Sequence, residues 1–459
     1  MIDIWKNKRV TVMGLGRFGG GVGAVRWLVN QGARVTVTDT ASEDTLRDSL
    51  AQIDDCEVVL RLGGHQDSDF DGVDAVAVSP AVPQNSPYLD LARRSGALIT
   101  SEMNLFAQRC PARCVGITGS VGKSTVTAMI GHILSQTLPA PRRVWVGGNI
   151  GRSLLEDLPD ISASDIVVLE LSSFQLEVLP AIRWSPNVAL ITNVAPNHLD
   201  RHGTFAAYLA AKLNIVRFQD PARDAIIIHG DPELQGHFDL LFGDLAGIWR
   251  YGLQGDVPTA RMQSTSAVES VDKHLSWPTL NLTVPGSHNR TNAAAALTVA
   301  NLLDVPADDA IAALRSFKAL PHRLQHVGEI DGVAYYNDSK STTPEAALTA
   351  MRAIERPLLV ILGGYDKGVD LSELACSAAP LIRYAACIGQ TGESLARQIR
   401  AADRQTDYYE SLAAAVAACR GRARTGDAIL LSPACASFGQ FRDYRARGDA
   451  FVQLVGTTP

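Results

Sequence analysis

Gly116-Ile117-Thr118-Gly119-Ser120-Val121-Gly122-Lys123-Ser124-Thr125 is the stretch on which the reading of this chain turns. The apolar lead-in Arg113-Cys114-Val115 predicts the end of a strand and Val126 to Leu134 predicts a helix, so the glycines fall on a strand-to-helix turn. Such a turn suits a phosphate. Backbone N–H groups at a helix N-terminus point outward unpaired, the helix dipole favours an anion, and glycine lets the main chain close around phosphate oxygens. Lys123 is expected to reach the terminal phosphates and the Ser124 hydroxyl to ligate magnesium. Ile117 stands where GxxxxGK[ST] has its first glycine, which leaves the shortened loop Gly119-x-x-Gly122-Lys123-Ser124-Thr125. A Gly-rich turn with a solvated lysine is the plain alternative, and the strand-turn-helix context weighs against it.

Around this loop lie 459 residues, 46% of them hydrophobic, too many for one core and suited to roughly three domains. A formal net charge of -6 gives no basic footprint for nucleic acid or an anionic membrane. Seven cysteines are scattered from Cys56 to Cys435 without a CxxC or histidines at zinc spacing, which predicts free thiols in a reducing compartment. Cys110 and Cys114 read as packing residues rather than ligands. The N-terminus enters a strand without a signal-type apolar core, and no apolar run reaches membrane-spanning length. A cytoplasmic chain with no membrane insertion is therefore expected, and a monomer is the simplest assembly.

Towards the N-terminus, Arg9 to Met13, the turn Gly14-Leu-Gly16-Arg-Phe-Gly19 and Val22 to Asn30 predict strand, tight turn and helix. A second strand, Arg34 to Thr38, ends in Asp39, where a dinucleotide-binding unit places its ribose-binding acid. Alone this suggests NAD, but a lone GxGxxG also serves other phosphorylated ligands or close helix packing. Strands at Asp74 to Ser79 and Ala97 to Thr100 complete a small α/β domain spanning 1–102.

The domain expected over 103–319 carries the loop. The apolar run Asp165 to Leu169 predicts a buried parallel strand that delivers Glu170 at its C-terminal end, where ligands sit in open α/β sheets. Glu170 is thus placed to hold magnesium, while Val188 to Thr192 does the same for Asn193, His198, Asp200 and Arg201. An acid, a histidine and a phosphate loop on neighbouring strand ends form a site, with a loop histidine capping a turn as the plainer alternative for His198; Lys212, on a helix predicted from Phe205 to Val216, reads by itself as a solvated lysine. Trp249 to Val284 predicts short strands, and Asn289 a cap for the helix Ala293 to Leu303. Beyond a linker at Leu320 to Arg323, a third domain over 320–459 alternates strands at Val333, Leu358, Ala385 and Ala428 with helices at Pro344 and Ser411. With polar loops at its strand ends and no phosphate loop, it is expected to act as a lid.

The succession of Gly119 to Thr125, Gly147-Gly-Asn149-Ile-Gly151, Glu170-Leu-Ser172-Ser-Phe-Gln175-Leu-Glu177, Asn193-Val-Ala-Pro-Asn-His198-Leu-Asp200-Arg201, Ala211-Lys212, His288-Asn289-x-x-Asn292, Pro321-His322-Arg323 and Asn337-Asp-Ser-Lys340 resembles the Mur ligases from end to end. The closing run Leu431-Ser432-Pro433-Ala-Cys-Ala-Ser437-Phe-x-Gln440-Phe441 is similar to the D-glutamate-adding branch of that family. The resemblance implies three α/β domains: an N-terminal Rossmann-like domain, a central P-loop mononucleotide-binding domain and a C-terminal Rossmann-like domain. It further implies an ATP-dependent ligase of peptidoglycan precursor synthesis that joins D-glutamate to UDP-N-acetylmuramoyl-L-alanine through an acyl phosphate. ATP, two magnesium ions and a CO2-derived carbamate on Lys212 come with it, as small-molecule partners only.

By the same resemblance Gly119, Ser120, Val121, Gly122, Lys123, Ser124 and Thr125 hold the nucleotide phosphates. Asn292, Arg323, Asp338 and Lys340 take its adenine, phosphate and ribose sides. Ser124, Glu170, His198 and the modified Lys212 stand at the metals. Gly16, Phe18, Asp39 and Thr40 meet the uridine end of the substrate, and Asn149, Ser172 and Gln175 its muramoyl part. Thr342, Lys367, Ser437 and Tyr444 form the D-glutamate pocket, where Lys367 would pair with carboxylate. The chain departs from the pattern at Val121, usually asparagine, at Tyr444, usually phenylalanine, and at Arg17, Ala41 and Ala81 on the uridine side. An NAD-dependent dehydrogenase would account only for the first forty residues, and a P-loop switch would leave Lys212, Arg323 and Lys367 without work. Within the ligase class the alternatives are another Mur ligase or a folylpolyglutamate-synthase-like enzyme.

Overall fold

Three sheets follow one another along the chain in a computed structural model that describes residues 4–17, 19–242, 248–265 and 270–456. Phe18 lies outside the described residues. The first sheet has five parallel strands in the spatial order Val58–Leu62, Arg34–Asp39, Arg9–Met13, Ala75–Val78, Leu98–Thr100. Its middle strand sends both faces inward, with Val10, Val12 and Met13 buried, as the continuous apolar run requires of a covered parallel strand. The helix Gly20–Asn30 lays Val22, Val25 and Leu28 into the core.

The second sheet has eight strands. Val144–Gly148, Ile166–Glu170, Arg113–Thr118, Val188–Ile191, Ala225–His229 and Ile248–Gln254 are parallel, and the antiparallel strands Val257–Thr265 and Ser270–Ser276 extend one edge. The latter two are the Ser- and Thr-rich strands expected after Trp249. The short helix Glu102–Ala107 links the two sheets. Its cap is the Ser101 hydroxyl, which accepts from Asn104 N at 3.1 Å, and Met103, Leu105 and Phe106 are buried. A single apolar core runs from Val12 and Leu28 through Phe106 to Leu154, Val167, Leu169 and Ile191.

The third sheet has six strands in the order Gln325–Ile330, Val333–Asn337, Ala428–Leu431, Leu358–Gly363, Tyr384–Ile388, Gln405–Tyr409, with the first pair antiparallel. Helices Pro344–Ala353, Ser372–Ala378, Gly392–Ala401, Leu412–Arg422 and Tyr444–Val455 are interspersed among these strands along the chain. The chain groups into two compact units: the part up to Pro278 with Asn292–Ala313, holding the first two sheets, and Thr279–Thr291 with the part from Leu314 onward. Two local expectations are corrected. The helix carrying Lys212 closes at Leu213 rather than Val216. Asn289 is not a cap: the helix already starts at Ser287, and the Asn289 amide donates back to Pro285 O at 2.7 Å.

Candidate active site

The strand Arg113–Thr118 is pinned at its tip by the Thr118 hydroxyl, which donates to Leu171 O at 2.8 Å. Gly119 follows with φ +144°, and a Cβ there would lie 1.9 Å from the Thr192 hydroxyl, so no other residue fits. Asn193 then holds the loop from the neighbouring strand's end. Its Oδ1 accepts from Val121 N and its Nδ2 donates to Val121 O, both at 3.0 Å, while its carbonyl accepts from Ser120 N at 2.9 Å. The Ser120 hydroxyl bonds to Ala195 O and to the Tyr208 hydroxyl, each at 2.9 Å. Val121 contributes its backbone to this frame while its side chain is 64% exposed.

Two lysines converge on one carbonyl. Lys123 Nζ donates to Gly119 O at 2.8 Å and Ser120 O at 3.0 Å, and Lys212 Nζ donates to Gly119 O at 2.8 Å. Lys212 is 1% exposed, with its ammonium nitrogen 4.6 Å from the Tyr208 ring centroid. Burial, and then the Lys123 charge, push its amine down to about 6, against a smaller opposing pull from Glu170. The solvated lysine read from the helix alone is thus a buried, largely neutral amine at pH 7.

Glu170 ends its strand buried. One oxygen, Oε1, accepts from Asn149 Nδ2 at 2.9 Å, and the other, Oε2, has no hydrogen-bond partner. A buried carboxylate oxygen left without a donor calls for a cation. Among the described residues no group of three His, Cys, Asp or Glu side chains could hold a metal unaided. A magnesium ion here would take the remaining ligands from the Ser124 hydroxyl, phosphate oxygens and water, as that ion ordinarily does. The donor set fits it on those terms. Gly148, with φ +92°, makes the approach: a Cβ would come 2.2 Å from Glu170 O, the carbonyl that accepts from Asn149 N at 2.7 Å.

His198 has φ +52° and an exposed side chain 5.2 Å from the Phe174 ring. Partial desolvation lowers its pKa against an opposing pull from Asp200, and the Lys123 charge adds to the lowering. Beside it, His202 was not singled out in the sequence, yet its side chain is 1% exposed. Its Nδ1 faces Glu177 Oε1 at 3.0 Å, its Nε2 faces the Ser173 hydroxyl at 3.0 Å, and its ring stacks on Phe174 at 5.4 Å. Arg201 lies over the other partner of this stack, 5.0 Å from Phe174, and donates to Ala81 O and Val82 O at 2.9 and 2.8 Å, tying the second sheet's site to the first sheet's turn. The signal for His202 was Phe174 and Glu177 in the Glu170 motif, while Arg201 was already marked at the end of the Val188–Ile191 strand.

Several expected contact residues hold one another. Ser172 and Gln175 form a reciprocal helix cap, with Gln175 N to Ser172 Oγ at 3.2 Å and Ser172 N to Gln175 Oε1 at 3.0 Å. Asp39 accepts from Gly16 N at 3.0 Å and Ala41 N at 2.8 Å, which shapes the first turn, and Thr40 is exposed. Thr125 is half-buried, and Asn292 is buried against Gly122. In the second unit, Asp338 is buried and accepts from Leu324 N at 3.0 Å and the Ser432 hydroxyl at 2.7 Å; burial pushes its carboxyl up to about 6. Lys340 Nζ lies 5.5 Å from the Tyr444 ring, and the buried Arg447 joins Ser339 to Cys435 O. The bridge between Tyr365 and Ala436 sets the loop bearing exposed Lys367 beside the loop bearing buried Ser437. Arg323 and Thr342 are half-buried.

Residues 8–101 match a family model described as the Mur ligase MurD-like N-terminal domain, residues 117–300 the Mur ligase middle domain, and residues 322–435 the Mur ligase glutamate ligase domain. The chain is 39% identical to a UDP-N-acetylmuramoylalanine--D-glutamate ligase of Roseiflexus sp., with 98% of each chain covered. It is 34% identical to one of Pelotomaculum thermopropionicum, with 99% of each covered. Among solved structures, UDP-N-acetylmuramate-alanine ligase MurC of Thermotoga maritima shares the fold at a TM-score of 0.59 and 17% identity, covering 98% of this chain and 99% of that one.

Proposed function

The chain belongs to the Mur ligase family, and on that premise we propose how its residues carry out an ATP-dependent ligation of D-glutamate to UDP-N-acetylmuramoyl-L-alanine. The reaction is a step of peptidoglycan precursor synthesis. The substrate carboxylate attacks the γ-phosphorus of ATP, ADP leaves, and the acyl phosphate is attacked by the D-glutamate amine, which loses a proton as phosphate departs. Both steps bring anions together, so positioning and charge neutralisation do most of the work.

Lys123 would exchange the Gly119 and Ser120 carbonyls for the β- and γ-phosphates, and the loop N–H groups would face the same oxygens. The neutral Lys212 amine suits addition to CO2: an N–C bond forms, a proton goes to solvent, and the uncharged amine becomes an anion on Glu170's side of the site. Ser124, Glu170, His198 and this carbamate would hold magnesium, which when bound supplies the positive charge that the developing phosphoryl transition state needs. Asn149 orients Glu170, and Thr342, Lys367, Ser437 and Tyr444 would receive D-glutamate, with Lys367 on a carboxylate. Arg323, Asp338 and Lys340 would take the outer parts of the nucleotide. The domain limits proposed for this work are 1–102 for the uridine end, 103–319 for ATP and 320–459 for the amino acid.

The observation that carries the reading is the convergence of a phosphate loop, an orphaned buried carboxylate oxygen and a buried neutral lysine on one strand edge. Substrate labelled with oxygen-18 in its carboxylate tests it. One labelled oxygen should appear in each released phosphate, and unlabelled phosphate would rule out the acyl phosphate.

A further inference from the structure

Between the linking helix Glu102–Ala107 and the strand Arg113–Thr118 the chain turns through Cys110-Pro-Ala-Arg-Cys114. Read from sequence these cysteines were packing residues, yet the turn folds their side chains onto each other, with Sγ to Sγ at 3.8 Å. Both thiols also face the same carbonyl, Ala112 O, at 3.9 and 3.5 Å. All seven cysteines of the chain are free. Closure to a disulfide needs the sulfurs to approach to about 2.05 Å, a movement small beside the reach of two side chains on one tight turn.

We infer that Cys110 and Cys114 form a thiol–disulfide exchange site, taking small-molecule disulfides of the oxidised glutathione class as co-substrate. Access and order follow from burial. Cys110 is half-buried and meets the oxidant first, while Cys114 is 3% exposed and sits behind it. The Cys114 thiol donates to Cys110 Sγ and so favours the Cys110 thiolate, lowering its pKa, while its own is raised. In the first step the Cys110 thiolate attacks one sulfur of the disulfide and expels one glutathione thiolate. In the second, Cys114 gives its proton to solvent and attacks Cys110 Sγ; the protein S–S bond forms and the second glutathione leaves. Two protein thiols lose two electrons and the glutathione disulfide gains them. Such pairs in reducing compartments are transient and sensing rather than structural.

The test is made on the intact chain, purified reduced and then incubated with excess oxidised glutathione. The expected result is a Cys110–Cys114 linkage in the peptide map, the linked peptides lighter together by two hydrogens and both thiols of this pair lost to titration, with full reversal by dithiothreitol. In Cys114→Ser the glutathione adduct should persist on Cys110, and in Cys110→Ser the Cys114 thiol should stay unmodified. Exposed Cys376 provides the internal comparison, a thiol expected to take glutathione and keep it. An unresolved adduct on Cys110 in the wild-type chain, a linkage between other cysteines, or no reaction at this turn would each overturn the proposal. The wild-type chain decides alone, so a variant that misfolds does not affect the outcome.

Discussion

Lys212 shows how one side chain acquires chemistry from its surroundings. A lysine on a helix is ordinarily charged and wet, but here the Phe205–Leu213 helix turns it onto Gly119 O, and loss of water makes the neutral amine the dominant form above pH about 6. Lys212→Ala should therefore lower turnover by roughly 10³-fold or more while leaving the fold intact, and wild-type activity in that variant would remove the proposed carbamate. Carbon-13 bicarbonate should label the wild-type chain at a carbamate signal that is absent from Lys212→Ala and fades as pH falls below about 6, where the amine protonates. Lys367 is a contrasting case, an exposed charge whose value depends on a ligand. Lys367→Ala should raise the D-glutamate KM by roughly 10-fold or more and the ATP KM little, as loss of one charge-assisted bond implies. An equal rise in both would contradict its assignment. Neither environment is written in the local sequence: burial of Lys212 depends on a helix docking over a loop almost a hundred residues earlier, and only the family pattern marked it.

At the scale of elements, the site depends on strand ends that bring backbone very close together. The Val144–Gly148 strand ends on Gly148, packed against Glu170 O, and Gly148→Ala would meet both a 2.2 Å clash and a left-handed φ of +92°. A stability loss of more than about 2 kcal/mol is expected, with turnover falling as Glu170 shifts; a melting temperature and turnover unchanged from wild type would refute this. The linking helix carries a second element-scale test. Glu102 lies on it with a carboxyl held by the Ser153 hydroxyl, and burial pushes that carboxyl from 4.5 up to about 7. The folded chain therefore binds the proton more tightly than the unfolded one. Stability from this group is full below pH 4.5 and is lost as pH rises through about 7. Glu102→Gln keeps an acceptor for Ser153 and should stabilise the chain at pH 8 by about 1–2 kcal/mol, while changing little at pH 4.5; equal effects at both would sink the idea. The strand Ile166–Glu170 was legible because both its faces are covered and its apolar run is continuous, whereas the edge strand Val144–Gly148, only partly buried, was not. The edge strand Gln405–Tyr409 was not, because it buries Thr406 and leaves polar residues outward, and its pairing with Tyr384–Ile388 is fixed only by the sheet.

Across the whole molecule, three α/β sheets each present polar residues at the C-terminal ends of parallel strands, the edge on which ligands of such sheets gather. That much follows from the order of strands and glycine turns, and the loop Gly119–Thr125 could be placed from its flanking periodicity. What sequence patterning left out is which polar residues serve the ligand and which serve the protein. Asp39, Ser172, Gln175 and Asp338 all spend hydrogen bonds on neighbouring chain, and Phe174 gathers His198, His202 and Arg201 through ring contacts with no sequence period. The central claim concerns the molecule as a ligase of one amino acid. It is tested most directly by ADP release from ATP in the presence of UDP-N-acetylmuramoyl-L-alanine with D-glutamate, L-glutamate, L-alanine, L-lysine or meso-diaminopimelate supplied in turn. Sustained release with D-glutamate alone is the predicted result; equal or greater release with any of the others, or release that ignores the amino acid, would contradict it.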